Sequence, residues 1–292
     1  MKISFITDEF TQSLDEAIAF AAENGLQGLE LRSVDDRALQ DFTLDEVRLW
    51  KRKMDRAGLE TANLSSSFFK CDFDGEQIAV QLRRLCKLCE IADVLDCGMI
   101  RGFVFFRDET RTPERDALMN AFSEATAILE RYDKTLVLEA DPSVTTSNHR
   151  ALAEFIRELG SDRVRAVYDA GNCLFDPLRE IPYPDGYEAV KPYLRHVHIK
   201  DAVYVDGEPM CLAPGAGLVD YPAVLARLKQ DGYDGYLSLE PHYRKDLVLT
   251  EAQMRTPAGA DFSKGGREAM QESVDALKKI LSDLCWFPTE NR

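Results

Sequence analysis

Four residues that bind metal ions well each end a short apolar segment between positions 137 and 240 of this chain. The segments 137–139, 167–169, 196–198 and 237–240 end in Glu139, Asp169, His198 and Glu240. A run of β-branched or apolar residues predicts a buried strand, and in each segment the polar residue comes where the strand stops. Two glutamates, an aspartate and a histidine at four successive strand ends predict one metal site.

This ligand set also indicates the kind of metal. A single acid at a strand end is more often a helix cap or an ion-pair partner, but four at consecutive strand ends favour a common site. Three acids that converge without a cation would repel one another and shift one another's pKa values. Oxygen ligands favour Mn²⁺, Mg²⁺ or Co²⁺, and the imidazole leaves Zn²⁺ open. We expect one divalent ion, with Mn²⁺ as the first choice.

Two histidines stand close together in the segment 196–198. We expect only one of them to enter the site, and choose His198 because it lies nearer the strand end. His196 is expected to pack outside the sheet against a helix. His242 follows Glu240 by two residues and would touch substrate at the rim of the site.

Strand and helix patterns alternate along the whole chain. The eight candidate strands are 3–7, 28–31, 60–64, 99–104, 135–139, 165–169, 196–199 and 236–239. Alternating β and α units specify a parallel sheet, and eight of them match a closed barrel of about 250 residues. An open doubly wound sheet is the alternative, but it usually carries a glycine-rich phosphate loop that is absent here. We predict one α/β domain over residues 1–292, a (β/α)₈ TIM barrel with parallel strands.

The composition limits the classes of partner. A net charge of −15 argues against nucleic-acid binding, which draws on clustered Lys and Arg. No segment offers the roughly 18 continuous apolar residues of a membrane span, and the N-terminus lacks a secretory pattern. Seven scattered cysteines fit reduced thiols. We therefore expect a cytoplasmic protein that acts on small molecules, and homo-oligomer formation stays open.

Further polar residues stand near predicted strand ends and are candidates for substrate binding. They are Arg32, Lys70, Arg101, Asn172, Lys200 and His242. Basic residues at a barrel rim suit a phosphate or a carboxylate, although each would pair equally well with nearby acids. Two long connections, 173–193 and 201–221, follow ligand strands and are expected to cover the site.

Several segments resemble the xylose isomerase-like barrel superfamily of sugar phosphate isomerases and epimerases. They are 3–32, 196–201, 215–220 and 231–241, and the likeness covers nearly the whole chain. The resemblance implies a single-metal site on Glu139, Asp169, His198 and Glu240. In the ketose 3-epimerase branch, the first and last glutamates are also the acid/base pair on opposite faces of the substrate. The same barrel hosts aldose-ketose isomerases, inosose dehydratases and endonuclease IV repair enzymes.

Residue 172 departs from part of this superfamily. Many epimerases carry a histidine three residues after the ligand aspartate, whereas this chain has Asn172 there. The substitution removes one titratable substrate contact and weakens an epimerase assignment. The repair enzymes need a histidine-rich three-metal cluster, which four histidines and a charge of −15 do not suit.

The resulting expectation is a metal-dependent isomerase or epimerase of a small sugar or sugar phosphate. Glu139 and Glu240 would exchange a proton α to a carbonyl through an enediolate. An inosose-type dehydratase on the same metal site is the first alternative. A non-catalytic sugar-binding barrel is the second.

Overall fold

Eight parallel strands form the barrel that the sequence predicts. The computed structural model describes residues 1–108 and 113–286. The barrel strands are β1 Lys2–Phe5, β2 Gly28–Leu31, β3 Glu60–Phe68, β4 Met99–Gly102, β5 Thr135–Glu139, β6 Val164–Asp169, β7 Leu194–Ile199 and β8 Tyr236–Leu239. Each contains part of a predicted strand, so the (β/α)₈ fold is confirmed.

The strands pair in the order β1-β8-β7-β6-β5-β4-β3-β2. A single parallel bridge between Ile6 and Glu30 joins the two ends of this sheet and nearly closes the barrel. In the register, His198 lies opposite Asp169 of β6 and Ser238 of β8. The carboxyl ends of β5 to β8 therefore meet at one rim.

Long helices cover the outside of the barrel, and short ones lie in the connections between strands. They are α1 Leu14–Glu23, α2 Leu44–Arg56, α3 Gly75–Val94, α4 Arg115–Tyr132, α5 His149–Leu159, α6 Asn172–Phe175, α7 Tyr187–Val190, α8 Tyr221–Gln230, α9 Glu251–Arg255, α10 Gly259–Ser263 and α11 Gly266–Asp283. Local sequence sets their ends: Asn148 caps α5 by accepting from Ala151 N, and Gly160 ends the helix at φ 64°. Such caps satisfy backbone groups that a helix end leaves without a partner.

The two long connections contain structure that the sequence did not predict. Residues 173–193 include α7, and residues 201–221 include an antiparallel hairpin of Asp201–Val205 with Glu208–Leu212. The buried carboxylate of Asp201 accepts the backbone N–H groups of Ala202, Gly215, Gly217 and Val219. Gly217 lies so close to this carboxylate that a Cβ would collide with it. The hairpin is thereby held against the barrel.

Within the described ranges, no helix has both the length and the apolar character that a membrane span requires. The seven cysteines are all free thiols, and six are at least partly buried.

Candidate metal centre

The four predicted ligands converge at the carboxyl-terminal rim of the barrel. Glu139 and Asp169 are the last residues of β5 and β6, His198 is the fifth residue of β7, and Glu240 directly follows β8. One ligand atom from each lies within 4.8 Å of the others. All four side chains are buried, with relative exposures of 0 to 2%.

The ring of His198 presents one nitrogen to this site and turns the other away from it. Its Nε2 lies 3.1 Å from Glu30 Oε1, and a carboxylate only accepts, so Nε2–H is the donor. Nδ1 lies 3.4 Å from Glu139 Oε1 and 3.5 Å from Glu240 Oε2. Among the described residues, Nδ1 has no hydrogen-bond partner. A buried ring nitrogen that faces carboxylates and has no hydrogen-bond partner suits a bound cation, with the ring then neutral.

Glu30 contacts the His198 ring on the side that faces away from the metal site. The carboxylate of Glu30 also accepts from His196 Nε2 at 2.8 Å and from Asn63 Nδ2 at 2.9 Å, and all three side chains are fully buried. A carboxylate behind a histidine ligand fixes the ring orientation and the tautomer that binds metal. Glu30 is in the position to do this for His198.

The expectation that His196 packs outside the sheet was wrong. Residues two apart in a strand point to the same face. His196 therefore lies inside the barrel with His198, and their ring centroids are 5.2 Å apart. The strand period alone was sufficient to place both rings on one face.

Lys200 and Asn172 cover the ligands on the side of the cavity. Lys200 Nζ lies 2.9 Å from Asp169 Oδ2 and 2.7 Å from Glu240 Oε2. Neither oxygen has a partner with hydrogen-bond geometry in the described part of the chain, so both remain able to bind a cation. Asn172 donates to Glu139 Oε1 at 3.0 Å and accepts from Lys200 at 3.0 Å.

Two arginines hold the two glutamates. Arg101 Nη1 lies 2.9 Å from Glu139 Oε2, and Arg32 Nη1 lies 3.1 Å from Glu240 Oε1. Arg32 also contacts Asp8 at 2.7 Å and Glu9 at 2.8 Å. Both guanidinium groups are therefore committed to carboxylates. In this structure they position the acids.

The charges around the site set the direction of its pKa values. Burial would raise the pKa of Glu139, but Arg101 and His198 together outweigh burial and lower that pKa to about 2. Burial would also raise the pKa of Glu240, but the positive charges of Lys200 and His242 hold that pKa well below its usual value. Burial does raise the pKa of Asp169. Burial opposes charge on His198, but the carboxylates of Glu30 and Glu139 hold its pKa well above normal.

The balance of buried charges around the site fits one divalent ion. Six carboxylates and four cations form a connected cluster: Asp8, Glu9, Glu30, Glu139, Asp169 and Glu240 with Arg32, Arg101, Lys200 and Arg244. With neutral histidines, the cluster carries two excess negative charges. A divalent ion balances that charge, whereas otherwise protons must be taken up. The donor set and its charge therefore fit a divalent metal.

The residues predicted to bind substrate fall into three places. Asn172, Lys200 and His242 line a cavity of about 1110 Å³ above the ligands. Arg32 and Lys70 line a separate cavity of about 290 Å³, and Lys70 pairs with Asp141 at 2.8 Å. Arg101 contacts Glu139 below these cavities.

Sequence reasoning missed Asp8 and Glu9, which directly follow the predicted first strand. Both are fully buried, and both contact Arg32. His242 Nδ1 lies 2.8 Å from Glu9 Oε1, so Glu9 also reaches the cavity wall. The signal was present in the sequence, because these acids stand at a strand end like the four predicted ligands.

A second group of potential ligands, His149, Cys173 and Glu180, lies next to Asp169. The backbone N–H of Asp169 donates to His149 Nε2 at 3.3 Å, so Nδ1 carries the proton and donates to Glu180 at 2.9 Å. His149 therefore has no free lone pair for a metal. This group positions the end of β6.

A family model described as xylose isomerase-like TIM barrel matches residues 18–280, a range that contains all four predicted ligands. The chain belongs to the xylose isomerase-like TIM barrel family. The resemblance noted in the sequence is confirmed. This family member is also 25% identical over 170 residues to an uncharacterised protein of Methanocaldococcus jannaschii. That alignment covers 56% of the chain and spans about half (53%) of the length of the relative.

Solved structures of other proteins share this barrel. The probable 3-DHS dehydratase AsbF of Bacillus anthracis superposes with a TM-score of 0.74 at 17% identity, covering 95% of this chain and 99% of that one. D-psicose 3-epimerase of Clostridium cellulolyticum superposes with 0.74 at 15% identity, covering 97% and 99%. The IolI protein with bound zinc superposes with 0.72 at 17% identity, covering 99% and 100%. At these identities the likeness shows the fold.

Proposed function

We propose that this barrel is a divalent-metal-dependent isomerase or epimerase of a small sugar or sugar phosphate. The observation that carries the proposal is the pair of buried carboxylates, Glu139 and Glu240, which converge beside the open nitrogen of His198. Glu139, Asp169, His198 and Glu240 would hold the ion, and three carboxylates among four ligands favour Mn²⁺. The epimerase among the structures of the same fold agrees with this class of reaction.

The reaction would begin with removal of a proton α to the substrate carbonyl. A divalent ion at this site supplies Lewis-acid polarisation of that carbonyl. Glu139 and Glu240 have lowered pKa values, so each is an unprotonated carboxylate at neutral pH. One of them removes the proton and becomes a carboxylic acid, and either this acid or the second glutamate, once solvent has protonated it, returns a proton to the enediolate.

The surrounding residues would position these groups and stabilise charge. Arg101 and Arg32 hold the two glutamates in place. The ammonium of Lys200, at the cavity floor, provides positive charge for the oxyanion of the enediolate. Asn172 and His242 line the same cavity and would contact substrate hydroxyl groups.

A dehydratase is the second candidate, and Lys200 is the observation that favours it. Its ammonium lies 2.7 Å from Glu240 Oε2 and also lines the cavity. After proton abstraction by Glu240, the neighbouring ammonium could give a proton to a departing β-hydroxyl group. That route yields water and an unsaturated product in place of an isomer.

Proton exchange in heavy water tests the proposal and separates the candidates. The Mn²⁺-loaded protein is incubated with ketoses, aldoses and inososes in D₂O, and the products are analysed by mass spectrometry and NMR. An isomerase or epimerase places deuterium next to the carbonyl and keeps the carbon skeleton and all oxygens. A dehydratase gives a product that has lost one water.

Glu139→Gln and Glu240→Gln are expected to abolish exchange, while Glu60→Gln, at an exposed pair with Lys2, leaves it unchanged. If no substrate exchanges at any Mn²⁺ loading, and Glu240→Gln keeps sugar affinity, the protein is a sugar-binding barrel. The proposed function is then wrong.

A further inference from the structure

The main cavity is larger than a simple sugar requires. Its volume is about 1110 Å³. Ligand pockets range from about 300 to 1,000 Å³, and a six-carbon sugar belongs at the small end of that range. The cavity therefore has space for a sugar together with a second group of at least equal size.

The lining of this cavity changes from its floor to its mouth. The floor residues Asn172, Lys200 and His242 are polar and only 5 to 7% exposed. The mouth carries Met210, Leu247 and Val248, whose exposures are 52, 44 and 95%. Large apolar side chains exposed beside a polar floor commonly mark a binding surface.

These apolar residues come from two separate segments that converge on the same cavity. Met210 belongs to the hairpin strand Glu208–Leu212, whereas Leu247 and Val248 follow β8. Phe175, at the end of α6, and Met254, in α9, line the same cavity. Four segments at the carboxyl-terminal face thus contribute the apolar side chains of one wall, and the charged residues Lys245, Asp246 and Arg255 line the same cavity.

We infer that the substrate carries a bulky apolar substituent, of the kind an aryl or alkyl glycoside has, and that this wall binds it. The inference rests on the proposed function for placing the polyhydroxy carbonyl part at the floor, beside Lys200. The wall and floor belong to one cavity, so a macromolecule seated on the wall would block the site. A substituent of the substrate can pack against the wall while the polyhydroxy carbonyl part occupies the floor.

Paired glycosides test this inference by binding alone. Methyl and phenyl β-glycosides of glucose, galactose and mannose are titrated calorimetrically into the Mn²⁺-loaded full-length protein. In each pair, the phenyl glycoside is expected to bind at least about tenfold tighter, because the ring leaves water for an apolar wall. Equal affinities within the pairs, or no binding of any phenyl glycoside at millimolar concentration, would overturn the inference.

Variants of the wall test whether it causes the preference for phenyl over methyl glycosides. Met210→Ser and Val248→Ser are expected to reduce this preference to less than about threefold and to leave methyl glycoside affinity unchanged. Val205→Ser is the matched control, because Val205 is 46% exposed on the same hairpin but does not line the cavity. Retention of the preference in both wall variants, or its loss in the control, contradicts the inference.

Two other outcomes distinguish the apolar subsite from a self-association surface and from a failure of the proposed reaction. If a second copy of the chain covers the wall, the pairs bind equally and Val248→Ser dissociates an assembly that ultracentrifugation detects, which overturns the inference. If the phenyl preference holds but none of the ketoses, aldoses and inososes exchanges protons in D₂O, the binding subsite stands and the proposed reaction fails.

Discussion

Burial and charge make the four predicted ligands an unusual group of residues. Three carboxylates at 0 to 2% exposure repel one another strongly, because the protein interior screens charge poorly. Lys200 and Arg101 offset part of this repulsion. The buried nitrogen of His198 and two excess negative charges in the cluster are explained together by one divalent ion.

Removing either of two ligands should remove the metal. Wild type, dialysed against Mn²⁺ and then against buffer, is expected to retain about one ion per chain by elemental analysis. Asp169→Ala and His198→Ala should each retain almost none, because both lose a ligand from a four-residue site. Asp162→Ala, at an exposed surface pair with Arg165, is the control and should match wild type. Equal metal content in all four proteins would exclude this site.

Glu30 should control metal affinity without touching the metal. Glu30→Gln removes the charge that orders His198 and leaves a side chain of the same shape, so Mn²⁺ affinity is expected to fall about 10- to 100-fold. Competition with a fluorescent chelator measures this, and circular dichroism checks the fold. Glu60→Gln, in which an exposed glutamate is replaced, should keep full affinity. Unchanged affinity in Glu30→Gln would show that Glu30 does not position His198.

The secondary-structure elements determine where each ligand lies. Parallel pairing of β5 to β8 brings the strand ends to one rim, and the register sets His198 opposite Asp169. The connections after β6 and β7 then form the cavity walls through α6 and the hairpin. The precision of the site thus comes from strands, and its shape comes from loops.

The hairpin depends on one buried carboxylate. In Asp201→Asn, one of the two acceptor oxygens becomes an NH₂ group, which cannot accept from the backbone N–H groups that face it, so one pair of donors loses its acceptor. The free energy of unfolding in urea is expected to fall by about 1–3 kcal/mol. Asp206→Asn, at the exposed tip of the same hairpin, should change it little, because Asn tolerates the φ of 51° there. Equal stability of the two variants would contradict this role.

The start of α5 should make stability depend on pH. Glu180 accepts the N–H groups of His149 and Arg150 and the side chain of His149. Burial would raise the pKa of Glu180, but these hydrogen bonds hold it below its usual 4.5. A lowered pKa stabilises the fold above pH 4.5, and this stabilisation is lost as the pH falls through the lower folded value.

Comparison with Glu180→Gln isolates this effect. Urea unfolding is measured between about pH 3 and 7. The difference in the free energy of unfolding between wild type and the variant should be constant in the upper part of this pH range. It should shrink as the pH falls below 4.5. A difference that is independent of pH would exclude Glu180 as its source.

At the scale of the whole molecule, the fold brings six buried carboxylates together around the site. The chain has a net charge of −15, and the connected cluster around the site, counted with neutral histidines, has two excess negative charges in its interior. Folding therefore brings mutually repelling groups together, and a cation that binds only the folded state offsets this cost.

Metal should therefore stabilise the whole barrel. An ion that binds only the native state adds about 2.7 kcal/mol when its concentration is 100 times its Kd. Mn²⁺ is thus expected to raise the Tm of the chelator-treated protein in calorimetry, with a further rise as more ion is added. Asp169→Ala should show no such rise, and a rise of equal size in that variant would point to metal bound elsewhere.

The sequence predicted the barrel and the convergence of Glu139, Asp169, His198 and Glu240, because both follow from local patterns. Apolar runs with period 2 and helical spacing identify the elements, and alternation of the two types permits few topologies. The polar residues at strand ends then share a rim by symmetry of the fold. His196 was misplaced even though the same period places it beside His198.

Tertiary structure alone decided what each side chain contacts. The pairing of Glu30 with His198 joins residues 168 positions apart. Arg32, after β2, contacts Asp8 and Glu9 after β1 and also Glu240 after β8. Such contacts depend on register, rotamer and competition among many charges, which a linear pattern does not encode. The same holds for the cavity, since loops of irregular conformation form its wall. The sequence thus determined which four residues share the rim, and packing in three dimensions determined which other residues hold them in place.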